Sequence, residues 1–136
     1  TTLCMQLEGR TALLSQDVSV LSRHLVPCSN KLLHSASVAH GDTLDSHTII
    51  LPHMSSFFFR RKMERVISAH SSDPLNPTPY WTNLATSGNT GAASIYVMLD
   101  HYIREHDISH GDRILLFVPE SGQFNFVLVS LTAVLP

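Results

Sequence analysis

The run Thr48-Ile49-Ile50-Leu51 is apolar and β-branched, is preceded by Asp45-Ser46, and is stopped by Pro52 directly before His53. Such a run, closed by proline, predicts a short buried strand. His53 then stands at the C-terminal end of a strand and just ahead of a helix, where open α/β sheets place their ligands. An imidazole in that position can give or take a proton near neutral pH, or donate a hydrogen bond. A loop histidine with satisfied partners would look the same in sequence.

Two further stretches hold groups able to stabilise charge. In Ser87-Gly88-Asn89-Thr90-Gly91-Ala92-Ala93-Ser94, a glycine-flanked polar segment opens a helix, which presents backbone N–H groups and an amide side chain to any developing negative charge. Asn89 or Thr90 acting only as an N-cap is the plainer alternative. In Glu120-Ser121-Gly122, Gly122 is a candidate oxyanion N–H, or simply a turn glycine.

Other chemistries lack their residues. His101 and His106 are five apart, which does not put them on one helix face, and neither HExxH, GxSxG, a P-loop nor GxGxxG occurs, so no metal ligand or cofactor site is assigned. Cys4 and Cys28 are distant from each other and read as free thiols. Neither sits at a strand-to-helix elbow, where a helix N-terminus would lower its pKa, so neither is assigned as a nucleophile.

The elements that must position these groups follow from periodicity and punctuation. Leu13, Leu14, Val18, Leu21, Leu25 and Val26 recur at helical spacing, which predicts a helix from Thr11 to near Val26, ended by Pro27, with a second short helix around Asn30 to Ser35. After His53, Phe58, Phe59, Met63, Val66 and Ile67 predict a helix from Ser55 or Ser56 to Ala69. The proline-rich Asp73 to Pro79 is a loop, Trp81 to Ala85 a predicted strand, and Ala92 to His106 a predicted helix. Arg113 to Val118 and Phe126 to Leu135 are apolar strands joined by a hairpin-like turn. Alternation of helix and strand argues for an α/β layered sheet.

With 136 residues the chain suits one domain, residues 1–136, able to bury a real core. Its hydrophobic share of 43% against 15% charged is high for a soluble domain, which points to surface that another body covers. A net charge of −2 supplies no basic field for nucleic acid. No apolar run approaches the ~20 residues of a membrane span, and no signal-like n-region opens the chain, so a cytoplasmic protein with no membrane partner is expected.

Pro52-His53 after a strand resembles the PHQAN segment of ketoacyl synthase III, and Gly88-Asn89-Thr90-Gly91-Ala92-Ala93-Ser94-Ile95 resembles its GNTSAAS segment. Leu7-Glu8-Gly9-Arg10 is similar to the M-x-G-R turn that precedes a long helix in that family, and Ile108 to Leu116 to its I-x-x-G-D-x-V-L-L entry into the last strands. The resemblance runs over nearly the whole chain, with four landmarks in order. It implies the C-terminal half of a thiolase-like layered fold, a mixed sheet with a buried helix starting near Gly91, whose nucleophilic cysteine lies in an N-terminal half missing from this chain.

The implied activity is carbon–carbon condensation of acyl thioesters. His53 and Asn89 would stabilise the enolate formed by decarboxylation or deprotonation, as two neutral donors in a dry cavity can. Acyl-coenzyme A or acyl carrier protein thioesters would be substrates, with no cofactor, and the full enzyme would be a homodimer. This fragment alone would be inactive. Where the family has QAN this chain has Met54-Ser55-Ser56, and the basic residue linked to carrier-protein docking is Phe58. Arg60, Arg61 and Lys62 are the docking candidates nearby. The altered turns also leave open acyl transfer to an oxygen or nitrogen nucleophile in specialised metabolism, or a catalytically silent partner subunit.

Overall fold

A computed structural model describes residues 3–120 and 124–135. Strands β1 (Leu3–Glu8) and β2 (Thr11–Gln16) form an antiparallel hairpin, and helix α1 (Val18–His40) follows. Strand β3 (Ile49–Pro52) leads through a 3-10 turn, Phe57–Phe59, into α2 (Arg60–His70). The short α3 (Leu84–Ser87) and a 3-10 turn at Gly91–Ala93 precede α4 (Ser94–Glu105), and the strands β4 (Arg113–Pro119) and β5 (Phe126–Thr132) close the order.

β3 runs parallel to β4 and β4 antiparallel to β5, a mixed sheet in the order β3-β4-β5. All four residues of β3 are buried, as expected of a strand covered on both faces. Because side chains alternate, Ile50, Leu115 and Phe117 meet Leu33 of α1 and Met63, Val66 and Ile67 of α2 on one face. Ile49, Leu51, Ile114 and Leu116 meet Ile95, Met98 and Tyr102 of α4 on the other. The sheet thus lies between helices, the α/β layering expected from sequence.

Three expectations are corrected. The residues from Thr11 form a strand, not the start of a helix: Glu8 pairs with Thr11 across a two-residue turn in which Gly9 has φ +63°, a turn of the kind that favours glycine. α1 starts instead at Val18, where the Asp17 carboxylate accepts the Ser19 N–H at 2.9 Å. It also runs straight through Pro27 to His40. Leu21, Leu25, Ser29 and Leu33 form its buried stripe, whereas Pro27 is exposed on the opposite side. An interior proline costs about 3 kcal/mol, and burying each leucine returns about 1.5–3 kcal/mol.

The third correction concerns Trp81 to Ala85. Ile50 N–H donates to Pro79 O and Trp81 N–H to Ile50 O, both at 3.0 Å, so pairing with β3 is confined to a parallel bridge at Tyr80. Pro77 and Pro79 supply no donors to extend it, and Leu84 already begins α3.

α4 is buried on one side only. Its other side bears Tyr96 and Ile103, 71% and 52% exposed, and Val127 and Val129 of β5 are 45% and 40% exposed. Between α4 and β5 lies an apolar groove of about 460 Å³.

Candidate active site

His53 is the residue after β3, and its backbone N–H donates to Phe117 O of β4 at 2.8 Å. The parallel ladder therefore holds the histidine at the C-terminal edge of the sheet. The side chain is 6% exposed and lies between two small clefts. One is lined by Leu21, Leu25, Phe59 and Pro119. Thr82, Asn83, Gly88, Ser94 and Met98 are among those that line the other. Among the described residues neither ring nitrogen has a hydrogen-bond partner. Burial pushes the His53 pKa below its ordinary value, against a smaller opposite pull from the Glu120 carboxylate. At neutral pH the ring is therefore uncharged, with one N–H donor and one bare nitrogen.

Asn89 sits in the turn between α3 and α4. Gly88 (φ +67°) and Gly91 (φ +62°) bracket it in a backbone conformation that side chains resist, although no atom crowds either position. The Asn89 Oδ1 accepts the Gly91 N–H at 2.9 Å and the Ser94 hydroxyl at 3.3 Å. Because its partners are donors, the oxygen end of the amide is fixed inward. The Nδ2 hydrogens have no partner among the described residues. Asn89 thus caps its turn and keeps a free donor, so the two readings of this residue hold together.

Ser94 was not singled out in the sequence, yet it organises this turn. Its hydroxyl also accepts the Thr90 N–H at 2.9 Å, and it lines a cleft of His53 together with Gly88. Its place one turn after Asn89, at the head of an apolar-periodic helix, was the available signal. No hydrogen bond joins His53 to Asn89; Gly88 and Ser94 connect their surroundings. His101 lies 3.3 Å from the Asn83 amide nitrogen and so links α3 to α4.

The three docking candidates differ. Arg60 donates to Glu64 at 2.9 Å and to the Tyr80 hydroxyl at 3.2 Å. Lys62 donates to the backbone oxygen and hydroxyl of Ser22 on α1. Only Arg61 of the three is exposed with no hydrogen bond among the described residues. Phe58, which stands where a basic residue was sought, is 64% exposed. Gly122, the oxyanion candidate, lies outside the described residues. Among the described residues no three His, Cys, Asp or Glu side chains converge as a metal site, and no helix is long and apolar enough to cross a membrane.

A mixed sheet between helices, with a neutral buried histidine at a strand end and a glycine-bracketed asparagine at a helix start, defines a thiolase-like α/β domain. Residues 57–123 match the family model for the 3-oxoacyl-[acyl-carrier-protein] synthase III C terminal, a span that includes Asn89 and begins four residues after His53. Among solved structures, 3-oxoacyl-(acyl carrier protein) synthase III from Xanthomonas oryzae is similar over 88% of this chain and 33% of its own, at 22% identity and TM-score 0.70. The enzyme of the same name from Pseudomonas aeruginosa is similar over 99% and 41%, at 19% identity and TM-score 0.72. A tetronic acid condensing enzyme covers 97% and 43%, at 17% identity and TM-score 0.72. No curated protein sequence matches. The family model covers just under half of the chain, and the chain shares its fold with the part of these ketoacyl synthase III-like structures that it matches. The chain spans a third to about two-fifths of the length of these structures.

Proposed function

We propose that this chain is the C-terminal catalytic half of an enzyme that condenses acyl thioesters by carbon–carbon bond formation, with His53 and Asn89 donating hydrogen bonds to the enolate oxygen. The observation that carries this reading is the donor inventory. Among the described residues a buried histidine keeps both ring nitrogens unbonded, and a neighbouring turn fixes an asparagine with its NH₂ unbonded. Two neutral, preorganised donors in a water-poor corner stabilise an oxyanion without having to reorganise as it forms. Both also remain uncharged, which suits an anion that is created and then consumed.

The cysteine that carries the first acyl group would come from an N-terminal half outside this sequence, in the cytoplasm with its thioester substrates. The apolar groove between α4 and β5 is the surface that half would cover, since large exposed apolar area on one side of a domain marks an interface. Carrier protein or coenzyme A would deliver the acyl groups. Mass spectrometry of the products made by the full enzyme from paired acyl thioesters tests the reading: a 3-oxoacyl product is expected. Asn89→Ala should lower its formation by about 10²–10³-fold, the loss typical of one oxyanion donor. Acyl transfer to an alcohol or amine with no new carbon–carbon bond would overturn it.

A further inference from the structure

We propose that Ser94 is a positioning residue that acts through Asn89: its hydroxyl holds the Asn89 amide in one orientation and so keeps the NH₂ group aimed for an enolate oxygen. This rests on the reading of Asn89 as an enolate donor and adds a residue to that same site. The need for it lies in the side chain. The last torsion of an asparagine is broad and roughly two-fold, so an amide free to turn offers its oxygen as readily as its NH₂. One hydrogen bond decides which end faces inward, and a second fixes the tilt of the plane.

Each contact at this turn has a single direction available. The Gly91 N–H can only donate, so the atom it meets at 2.9 Å is the Asn89 carbonyl oxygen, Oδ1. That oxygen can only accept, so its 3.3 Å contact with Ser94 takes the Ser94 hydroxyl proton. With its one proton given away, the Ser94 oxygen accepts from the Thr90 N–H at 2.9 Å and from the Thr90 hydroxyl at 3.1 Å. The result is a chain of donors from Thr90 through Ser94 to Asn89. Two donors on one carbonyl oxygen also polarise the amide, which makes its NH₂ a stronger donor. Ser94 is the first residue of α4 and is 9% exposed, so its hydroxyl is carried by a packed helix rather than by the turn that it orders. It also lines a cleft that His53 lines, on the side of the turn where the two donors of the site would meet a substrate.

With the full enzyme, Ser94→Ala should lower kcat about tenfold with KM little changed, less than the loss from Asn89→Ala, because the amide is loosened and not removed. A double-mutant cycle separates this from a purely structural role. In the Asn89→Ala background Ser94→Ala should cost nothing further in kcat, whereas damage to the start of α4 would cost the same in both backgrounds. An equal cost in both backgrounds, or no cost in the parent, would overturn the proposal. If Asn89→Ala leaves turnover unchanged, or the full enzyme makes no condensation product, the reading of Asn89 as an enolate donor fails separately. The Ser94 contact is then decided by NMR relaxation of the Asn89 side-chain amide: fast motion gained in Ser94→Ala supports it, and an order parameter equal to the parent's overturns it.

Discussion

The two ends of β3 each bear a histidine of equal burial, His47 before the strand and His53 after it, both 6% exposed. At His47 both ring nitrogens are occupied: Nδ1 lies 2.8 Å from Thr43 O and Nε2 lies 2.9 Å from the Ser130 hydroxyl of β5. At His53 neither is, among the described residues. Buried polar groups are paired unless something else uses them. The same residue type on the same strand therefore does two jobs. His47 ties the N-terminal edge of the sheet together, and His53 holds donor and acceptor capacity in reserve at the edge where the helix starts gather.

The sharpest way to break this contrast is to remove each ring. In the full enzyme His53→Ala should cost about 10²–10³ in turnover, the loss of one oxyanion donor, and should lower the urea midpoint only through the packing lost with a buried ring, because no side-chain hydrogen bond to the described residues is broken. If stability falls and turnover does not, His53 is structural and the contrast fails. His47→Ala should do the reverse. It removes two hydrogen bonds of a buried ring, each worth about 0.5–1.5 kcal/mol, while Ser46 still serves the Thr43 carbonyl and Arg113 the Ser130 hydroxyl. Urea denaturation is the measurement, and a loss of turnover without a loss of stability would sink the assignment.

Sequence patterns revealed the His53 end better than they revealed its partner. A buried β-branched strand ended by proline is a strong local signal, and β3 and the β4–β5 hairpin formed where the pattern placed them. The resemblance to a known family also drew attention to Asn89. His47 looked like one of several scattered histidines, because its partners Thr43 and Ser130 are brought together only by the fold. Helical spacing of Leu13, Leu14 and Val18 hid the β1–β2 hairpin, since adjacent leucines fit either period. Pro27 has the sequence signature of a stop because local propensity opposes a helix there, whereas the leucine stripe that overrides it gains its energy from α2 and the sheet, far along the chain. Ser94 was silent for the same reason as His47: its role is defined by three hydrogen bonds, not by its type.

The smallest expected effect concerns pH. Burial lowers the His53 pKa in the folded chain, while the unfolded chain has the ordinary value near 6.5. As pH falls through that value the unfolded state takes up a proton that folded His53 resists, so stability is full above it and declines toward the lower folded pKa. His70, also depressed chiefly by burial and secondarily by His34, contributes in the same direction. The urea midpoint should therefore drop between pH 7 and pH 5.5. His53→Gln should remove part of that slope and His70→Gln a further part. Because the His53 ring has no hydrogen-bond partner among the described residues, its share should vanish in the glutamine variant with little change at pH 7. A slope that persists undiminished in His53→Gln would mean that His53 accepts its proton as readily folded as unfolded. It would then not be the neutral donor that an enolate site requires.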